Sequence, residues 1–455
     1  MRLKTSTQMY LNILFPSSRK VVEQYRTKYR RINDILLDNP KILDLAHADF
    51  SKYLSESEEG RESRYSSDEI LRALVVMFIE QDSYRDVVVR IEDSEFLRKF
   101  VGLGMYKMMM DFTFMSKALS ALSPETWEAM NDALGHYARD ENKISADNLR
   151  VDTTAYETNI HYPTDSSLLW DSFRVLARVL KAIEQVHPEL GLKHRYHVNK
   201  VKKLAHFISR NAGSKSKGKQ RKVKTTYRML IERVGWIVDV SKQVRAKAAL
   251  AFLEAWELEH FEPLVERVID QAQRRIFQGE VVPRDEKLYS LFEEHTEMLI
   301  RGKAGKRVEF GHMVLIAQTK EKFISHYRAM LQREEDKDLL PGALDAHRSL
   351  FGHGPRLLAT DKGFYESVKQ LVALEKEIET VSICKKGRRT VEQAAREHAE
   401  EFQEGQRFRA GVEGSISVLK RAFKLNCCLF KGFKNFAASV GCAVFCHNLV
   451  LLARL

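Results

Sequence analysis

The chain has 455 residues, 44% of them hydrophobic, which is enough for two or three domains with a large core and excludes an intrinsically disordered segment. Lys and Arg outnumber Asp and Glu by 74 to 62, and the resulting net charge of +12 favours a polyanionic partner, most simply nucleic acid. The most apolar stretch, VGCAVFCHNLVLLA, is too short to span a bilayer, MRLKTSTQMYLNILFP lacks an apolar signal core, and the 5 cysteines are an odd count, so a reducing cytoplasmic compartment and no membrane are expected.

Residues 1–140 read as helical. YSSDEILRALVVMFIEQ offers Ser66, Ser67 and Asp68 as caps, followed by an apolar face through Ile70, Leu71, Leu74, Val75 and Phe78. Ser83 and Asp86 are spaced as a capping box. Further starts are expected at Asp111–Ser116 and at SPETWEAM, where Pro124 suits a first helical position. Short helices with short connections fit a helix-turn-helix array and a plain bundle equally well.

Then the period changes to two. In NLRVDTTAYETN, residues 148–159, Leu149, Val151 and Thr153 alternate with Arg150, Asp152 and Thr154, a buried-strand pattern that carries a carboxylate. Pro163 ends this strand, and Thr164 to Ser167 open the first of several long helices reaching to about residue 278. They are interrupted by SRNAGSKSKGKQRKVKTTYRM, residues 209–229, which reads as a mobile basic loop. As a solvated connector it would be unremarkable in shape, but its charge favours a clamp on nucleic-acid phosphates through Lys215, Lys217, Lys219, Arg221 and Lys222.

From about residue 287, KLYSLFEEHTEML and KRVEFGHMVLIAQTKEKFISHYRAML contain β-type runs, with Gly305 and Gly311 permitting tight backbone geometry and TKEK as a hairpin turn. A helix follows. PRLLATDKGF then reads as a short strand, Leu357 to Ala359, that delivers Asp361 into a loop with Gly363 beyond. FYESVKQLVALEK is helical, ETVSICKK a strand, and residues 391–425 a Glu-rich helix. The C-terminal apolar stretch is a buried helix; Cys442, Cys446 and His447 on it are core residues, because no second ligand pair at zinc spacing accompanies them.

A buried carboxylate is costly unless it is paired or bound to a metal. One such residue would be read as an ion pair. Two, Asp152 and Asp361, at neighbouring strands of one α/β segment point to a divalent cation. In GQRFRAGVEGSISVLKRAFKL, Arg409, Glu413 and Lys420 share one helical face, with Val412, Ile416, Leu419 and Phe423 opposite. Taken alone this is an exposed charged stripe. Asp147, Asp165 and Asp171 read as helix caps or dipole partners, and His295 and His312 as surface or core histidines.

Together VDTTAYETNIHYPTD, LFEEHTEMLIRGKAGKRVEFGHMV, LLATDKGF and RAGVEGSISVLKRAF, with SSDEILRALVVMF in the N-terminal region, resemble a bacterial insertion-sequence transposase of the DDE type over roughly residues 60–455. The resemblance implies an α/β RNase H-like core. It would have a helical N-terminal DNA-binding region (1–140), a first core strand (141–164), a mostly helical insertion with the basic loop (165–285), and the rest of the core with the C-terminal helices (286–455). It implies Asp152, Asp361 and Glu413 as the catalytic, metal-binding triad for two Mg²⁺ or Mn²⁺ ions, Asp152 bridging both and the others holding one each. Arg409 and Lys420 would contact DNA phosphates; where the family pattern has Tyr this chain has Gln406, a weaker donor to phosphate. The implied activity is cleavage at the ends of an insertion sequence and joining of 3′-hydroxyls to target DNA, by a homodimer or higher oligomer on double-stranded terminal repeats, in the bacterial cytoplasm on the nucleoid. The alternative is a DNA-binding relative that no longer cuts, or a nuclease of the same fold that does not transpose.

Overall fold

Capping chemistry sets the helix starts. Ser66 accepts from the Glu69 amide while the Glu69 carboxylate takes the Ser66 amide at 2.7 Å, and Ser83 and Asp86 form the same reciprocal pair. Asp111 accepts from the amides of Thr113 and Phe114, Ser123 caps a helix beginning at Pro124, and Thr164 caps the next with Ser167. The structure, a computed structural model, describes residues 2–5, 17–54, 64–104, 106–192, 194–247, 252–300 and 307–455. Gly305 and most of the first 16 residues lie outside that set.

Among the described residues, seven helices precede the first strand: α1 (Lys20–Asp38), α2 (Pro40–Tyr53), α3 (Ser67–Ile79), α4 (Tyr84–Asp93), α5 (Glu95–Val101), α6 (Phe112–Ala121) and α7 (Pro124–Asp140). Strand β1 (Asn148–Thr158) follows. Next come α8 (Asp165–Val186), α9 (Val198–Asn211), α10 (Lys217–Lys247), α11 (Phe252–Gln273) and β2 (Glu297–Ile300). The remainder is β3 (Val308–Thr319), β4 (Ile324–Ala329), α12 (Asp336–Phe351), β5 (Leu357–Thr360), α13 (Val368–Leu374), β6 (Thr380–Ser382), α14 (Val391–His398), α15 (Glu400–Ala422), β7 (Cys427–Cys428) and α16 (Phe433–Leu452).

The chain divides into two units, residues 1–157 with 312–455, and residues 158–311. In the first, the N-terminal helices share a hydrophobic core with the C-terminal helix, so residues 1–140 are continuous with the α/β part. Helix α16 is apolar nearly all round because it is buried on nearly every side, with 89% of its apolar window inside the protein. It is the one described helix long and apolar enough to cross a membrane. Cys442, Cys446 and His447 are buried on it, as expected of core residues.

Helix α16 packs closely against α7: the Trp127 and Phe445 rings are 5.7 Å apart, and Asn131 Nδ2 donates to the Gly441 carbonyl at 3.1 Å. Gly441 permits this approach, since a Cβ there would lie 2.5 Å from Trp127 Cβ and 2.6 Å from the Tyr327 hydroxyl. Gly441→Val is therefore expected to destabilise the protein by about 3 kcal/mol in a denaturant titration. Gly235→Ala in α10, with nothing within 4 Å of the added carbon, should instead gain about 0.5–1 kcal/mol from helix propensity. Equal effects at the two positions would show that close packing at Gly441 is not what its small size serves.

The sheet runs β2-β3-β1-β5-β6, with β4 on β3 and β7 on β1. β1, β5 and β6 are parallel, and β3 and β4 form an antiparallel hairpin around the turn predicted at residues 319–322, where Lys322 adopts φ 73°. β1 is central and buried on both faces for most of its length, so its alternation marks which layer each side chain faces, not core against solvent. The β1–β5 register pairs Val151 with Thr360. The next residue on each chain is an aspartate.

In the second unit, α8 to α11 bury an apolar core of their own, and no strand is described between residues 170 and 280. The stretch KLYSLFEEHTEML contains a strand as expected, β2, at its end. One expectation is corrected here. Residues 209–229 are not a loop: α9 runs to Asn211, α10 begins at Lys217, and only residues 212–216 turn between them. The reason is periodic burial. Thr226, Tyr227, Leu230 and Ile231 face the unit's core, Lys and Arg are good helix formers, and one glycine, Gly218, near an open end does not outweigh them.

Candidate functional site

Two parallel strands, β1 and β5, deliver aspartates at adjacent positions, the usual place for a site in an open α/β sheet. Asp152 lies within β1 and is 8% exposed. Its Oδ1 accepts from the Thr153 amide at 2.8 Å and its Oδ2 from Arg409 Nη2 at 3.0 Å. Asp361 follows the last residue of β5 and caps a short 3₁₀ turn, its Oδ1 accepting from the Gly363 amide at 2.7 Å.

A third aspartate, which no motif in the sequence singles out, joins them. Asp336, the first residue of α12, accepts from Thr153 Oγ1 at 3.1 Å. Its Oδ2 converges on the same point as Asp361 Oδ1, for a Cβ on Gly363 would collide with both oxygens. Nothing local separates Asp336 from Glu334, Glu335 and Asp338, which all read as acids at a helix start. Only Thr153, far along the chain, distinguishes it.

The electrostatics follow from this crowding. Burial pushes the Asp152 carboxyl up to about 6, with Asp361 and Asp336 adding to the rise and Arg409 and the Thr153 amide opposing it. Asp336 is raised as well, by burial first and then by Asp361, against its hydrogen bond from Thr153. Carboxylates that raise one another are deficient in positive charge.

Helix α15 brings the remaining predicted residues, and it separates them. Val412, Leu419 and Phe423 are buried as the helical face requires. Arg409 and Glu413 form an ion pair at 3.3 Å, the glutamate side chain 70% exposed, so Glu413 reaches Asp152 through the guanidinium between them. Lys420 Nζ donates to the Ala155 carbonyl of β1 at 2.6 Å, three residues beyond Asp152. The Gln406 amide donates to the Ser382 carbonyl at 2.8 Å and to Ser382 Oγ at 2.9 Å, and so joins α15 to β6. Arg150, on the same face of β1 as Asp152, donates to Gln318 Oε1 and to the Phe408 carbonyl, anchoring β3 and α15 to the strand. The basic residues Lys215, Lys217, Lys219, Arg221 and Lys222 belong to the second unit, on the α9–α10 hairpin, and are exposed there.

Asp165 and Asp171 belong to the second unit. Asp165 pairs with Arg275 at 3.0 Å, and Asp171 with Arg174 at 2.9 Å and His161 at 3.4 Å, all within the second unit. Buried His312 packs its ring against Phe433 and Phe436, and His295 pairs with Glu293 at 2.9 Å.

The donor set of Asp152, Asp361, Asp336 and Glu413 consists of hard oxygens, which suit Mg²⁺ or Mn²⁺. Among the described residues, no three His, Cys, Asp or Glu side chains stand close enough together to hold a metal ion. The positive charge at Asp152 comes instead from Arg409. The oxygens are of the type a divalent cation takes, but they are not gathered around one point, and Asp152 is satisfied by a guanidinium. Comparison of the chain with known protein families, with curated proteins and with solved structures finds no match.

Proposed function

We propose that this chain is a divalent-metal-dependent DNA transposase of the DDE type built on an RNase H-like core. The observation that carries the reading is the placement of Asp152 and Asp361 at adjacent positions of parallel β1 and β5, with Glu413 on α15 linked to Asp152 through Arg409. The strand order β4-β3-β1-β5-β6, read along the hairpin, is consistent with such a core.

Asp152, Asp361 and Glu413, with Asp336 as a fourth oxygen donor, would hold the metal, which when bound supplies charge to activate the attacking oxygen and to stabilise the leaving one. The chain's own residues do the positioning. Water, or a 3′-hydroxyl in the joining step, attacks phosphorus in line; the P–O3′ bond on the far side breaks, and O3′ leaves and takes a proton. Thr153 orients Asp336 and Asp152 through its hydroxyl and its amide. Arg409 presents a planar fork that matches two phosphate oxygens, and Lys420 lies along the same helix. The test is incubation of the full chain with duplex DNA carrying the ends of its own element, with and without Mg²⁺. Nicks at the element ends that require Mg²⁺ support the reading, and no cleavage in either condition favours the DNA-binding relative.

The α9–α10 hairpin supports a polyanionic partner. No acidic residue falls between Glu189 and Glu232, and Lys217, Lys219, Arg221, Lys222, Lys224 and Arg228 are all exposed. Flexible cationic side chains grip phosphates without reading bases. Alanine at Lys215 in the turn and at Lys217, Lys219, Arg221 and Lys222 in α10 keeps the helix propensity and should weaken binding to all duplexes about equally. The salt dependence should flatten by up to about 0.9 in log–log slope for each phosphate no longer neutralised. Loss of discrimination between end DNA and random DNA at unchanged total affinity would show that the hairpin reads sequence.

A further inference from the structure

We infer that Arg409 is a positioning residue displaced by substrate: its guanidinium occupies Asp152 and Glu413 in the DNA-free protein and keeps a divalent cation out until a DNA phosphate draws it away. The inference rests on the carboxylate site proposed above and concerns its regulation.

The geometry is specific. Nη2 of Arg409 lies 3.0 Å from Asp152 Oδ2 and Nη1 lies 3.3 Å from Glu413 Oε1, so one guanidinium spans the first and third members of the triad. The other oxygen of Asp152 is taken by the Thr153 amide. Both Asp152 oxygens thus accept a hydrogen bond, and the guanidinium fills the place between Asp152 Oδ2 and Glu413 Oε1 that a cation shared by the two carboxylates would need. Two cations cannot share that position. Arg409 nevertheless has a donor to spare: its Nε is buried and has no hydrogen-bond partner. A phosphodiester offers two oxygens to a guanidinium fork and can engage this idle donor, which the present pairing cannot.

Transfer of Arg409 to a phosphate leaves Asp152 and Glu413 without their cation, with Asp336 held to the same Thr153 as Asp152 and Asp361 converging on Asp336. That is the arrangement in which a divalent ion binds well. DNA and metal are then coupled ligands, each strengthening the other by the same factor. A consequence is that the carboxylates are not assembled around a metal away from DNA, which limits cleavage to the bound substrate.

The test is Mn²⁺ titrated by calorimetry into the full DNA-free chain. Arg409→Ala and Arg409→Gln are expected to bind Mn²⁺ about tenfold or more tightly than wild type, and a short duplex added to wild type should produce a similar gain. Arg407→Ala removes the same charge from an exposed position of α15 that pairs with Glu404, and should stay within about twofold of wild type. Adding Asp152→Asn to Arg409→Ala should remove the gain. The inference is overturned if both Arg409 variants bind Mn²⁺ no better than wild type, or if Arg407→Ala tightens binding as much. In either case a wild-type Mn²⁺ site that Asp152→Asn weakens would leave the carboxylate reading standing. Tight binding that survives Asp152→Asn would remove the carboxylate reading itself, and this inference with it.

Discussion

Asp152→Asn is expected to lower Mg²⁺-dependent cleavage by on the order of a thousandfold or more, while duplex affinity measured in EDTA, where no metal is coupled to it, is weakened by no more than about threefold. The substitution keeps the size and shape of the side chain, and the amide still accepts from Thr153, so β1 and its neighbours stay in place. What is lost is the negative charge between Asp361, Asp336 and the guanidinium of Arg409. A thousandfold corresponds to about 4 kcal/mol of barrier, a size that electrostatic stabilisation of a reacting group commonly reaches and that removal of one surface ion pair does not. Affinity should hold because most of the cationic surface lies elsewhere, on the exposed hairpin among other places. The measurement is a gel-based cleavage rate under saturating protein, beside a binding isotherm on the same duplex. Cleavage retained within about tenfold would take the chemistry away from β1.

The same substitution is expected to make the metal-free protein more stable at neutral pH, by about 1–3 kcal/mol. Burial raises the Asp152 carboxyl from 3.8 to about 6, so the folded chain binds this proton more tightly than the unfolded chain does. Below about pH 4 both states are protonated and the residue has no effect on stability. As pH rises from there through about 6, the unfolded chain releases the proton freely and the folded chain must hold a buried charge, so wild type loses stability that the asparagine variant keeps. The full difference would be about 3 kcal/mol, already net of the Arg409 attraction that opposes the rise. The poorer match of an amide nitrogen to the mostly buried guanidinium offsets part of it, and Arg409 retains Glu413 as a partner. Urea titrations in EDTA at pH 4.5 and pH 7.5 measure it. A variant less stable than wild type at pH 7.5, or a gap equal at both values, would contradict the account. A residue that lowers stability and raises activity marks a site shaped by its chemistry.

Much of this chain is determined by local rules that a sequence carries openly. Ser66 with Glu69, Ser83 with Asp86, Asp111, Pro124 and Thr164 start helices because their side chains satisfy amides two or three residues away, and no distant neighbour is needed. The alternation around Asp152 and the short run before Asp361 mark strands by their pattern, although their pairing needs partners far along the chain, and the apolar stretch from Phe433 makes a buried helix. Tertiary structure decided what depends on partners distant in sequence. Residues 209–229 became mostly helical because Tyr227, Leu230 and Ile231 found a core to bury against, a gain that composition alone does not reveal. Gln406 turned towards β6 because Ser382 lies beside it, and the N-terminal helices joined the α/β unit because α16 offers them an apolar surface. Asp336 entered the site, and Arg409 came between Asp152 and Glu413, through interactions such as Thr153 to Asp336 that no short-range pattern encodes. Which charges share a cavity is set by where the chain folds them together, because the pairing of buried carboxylates falls off over a few ångströms of space and is indifferent to separation in sequence.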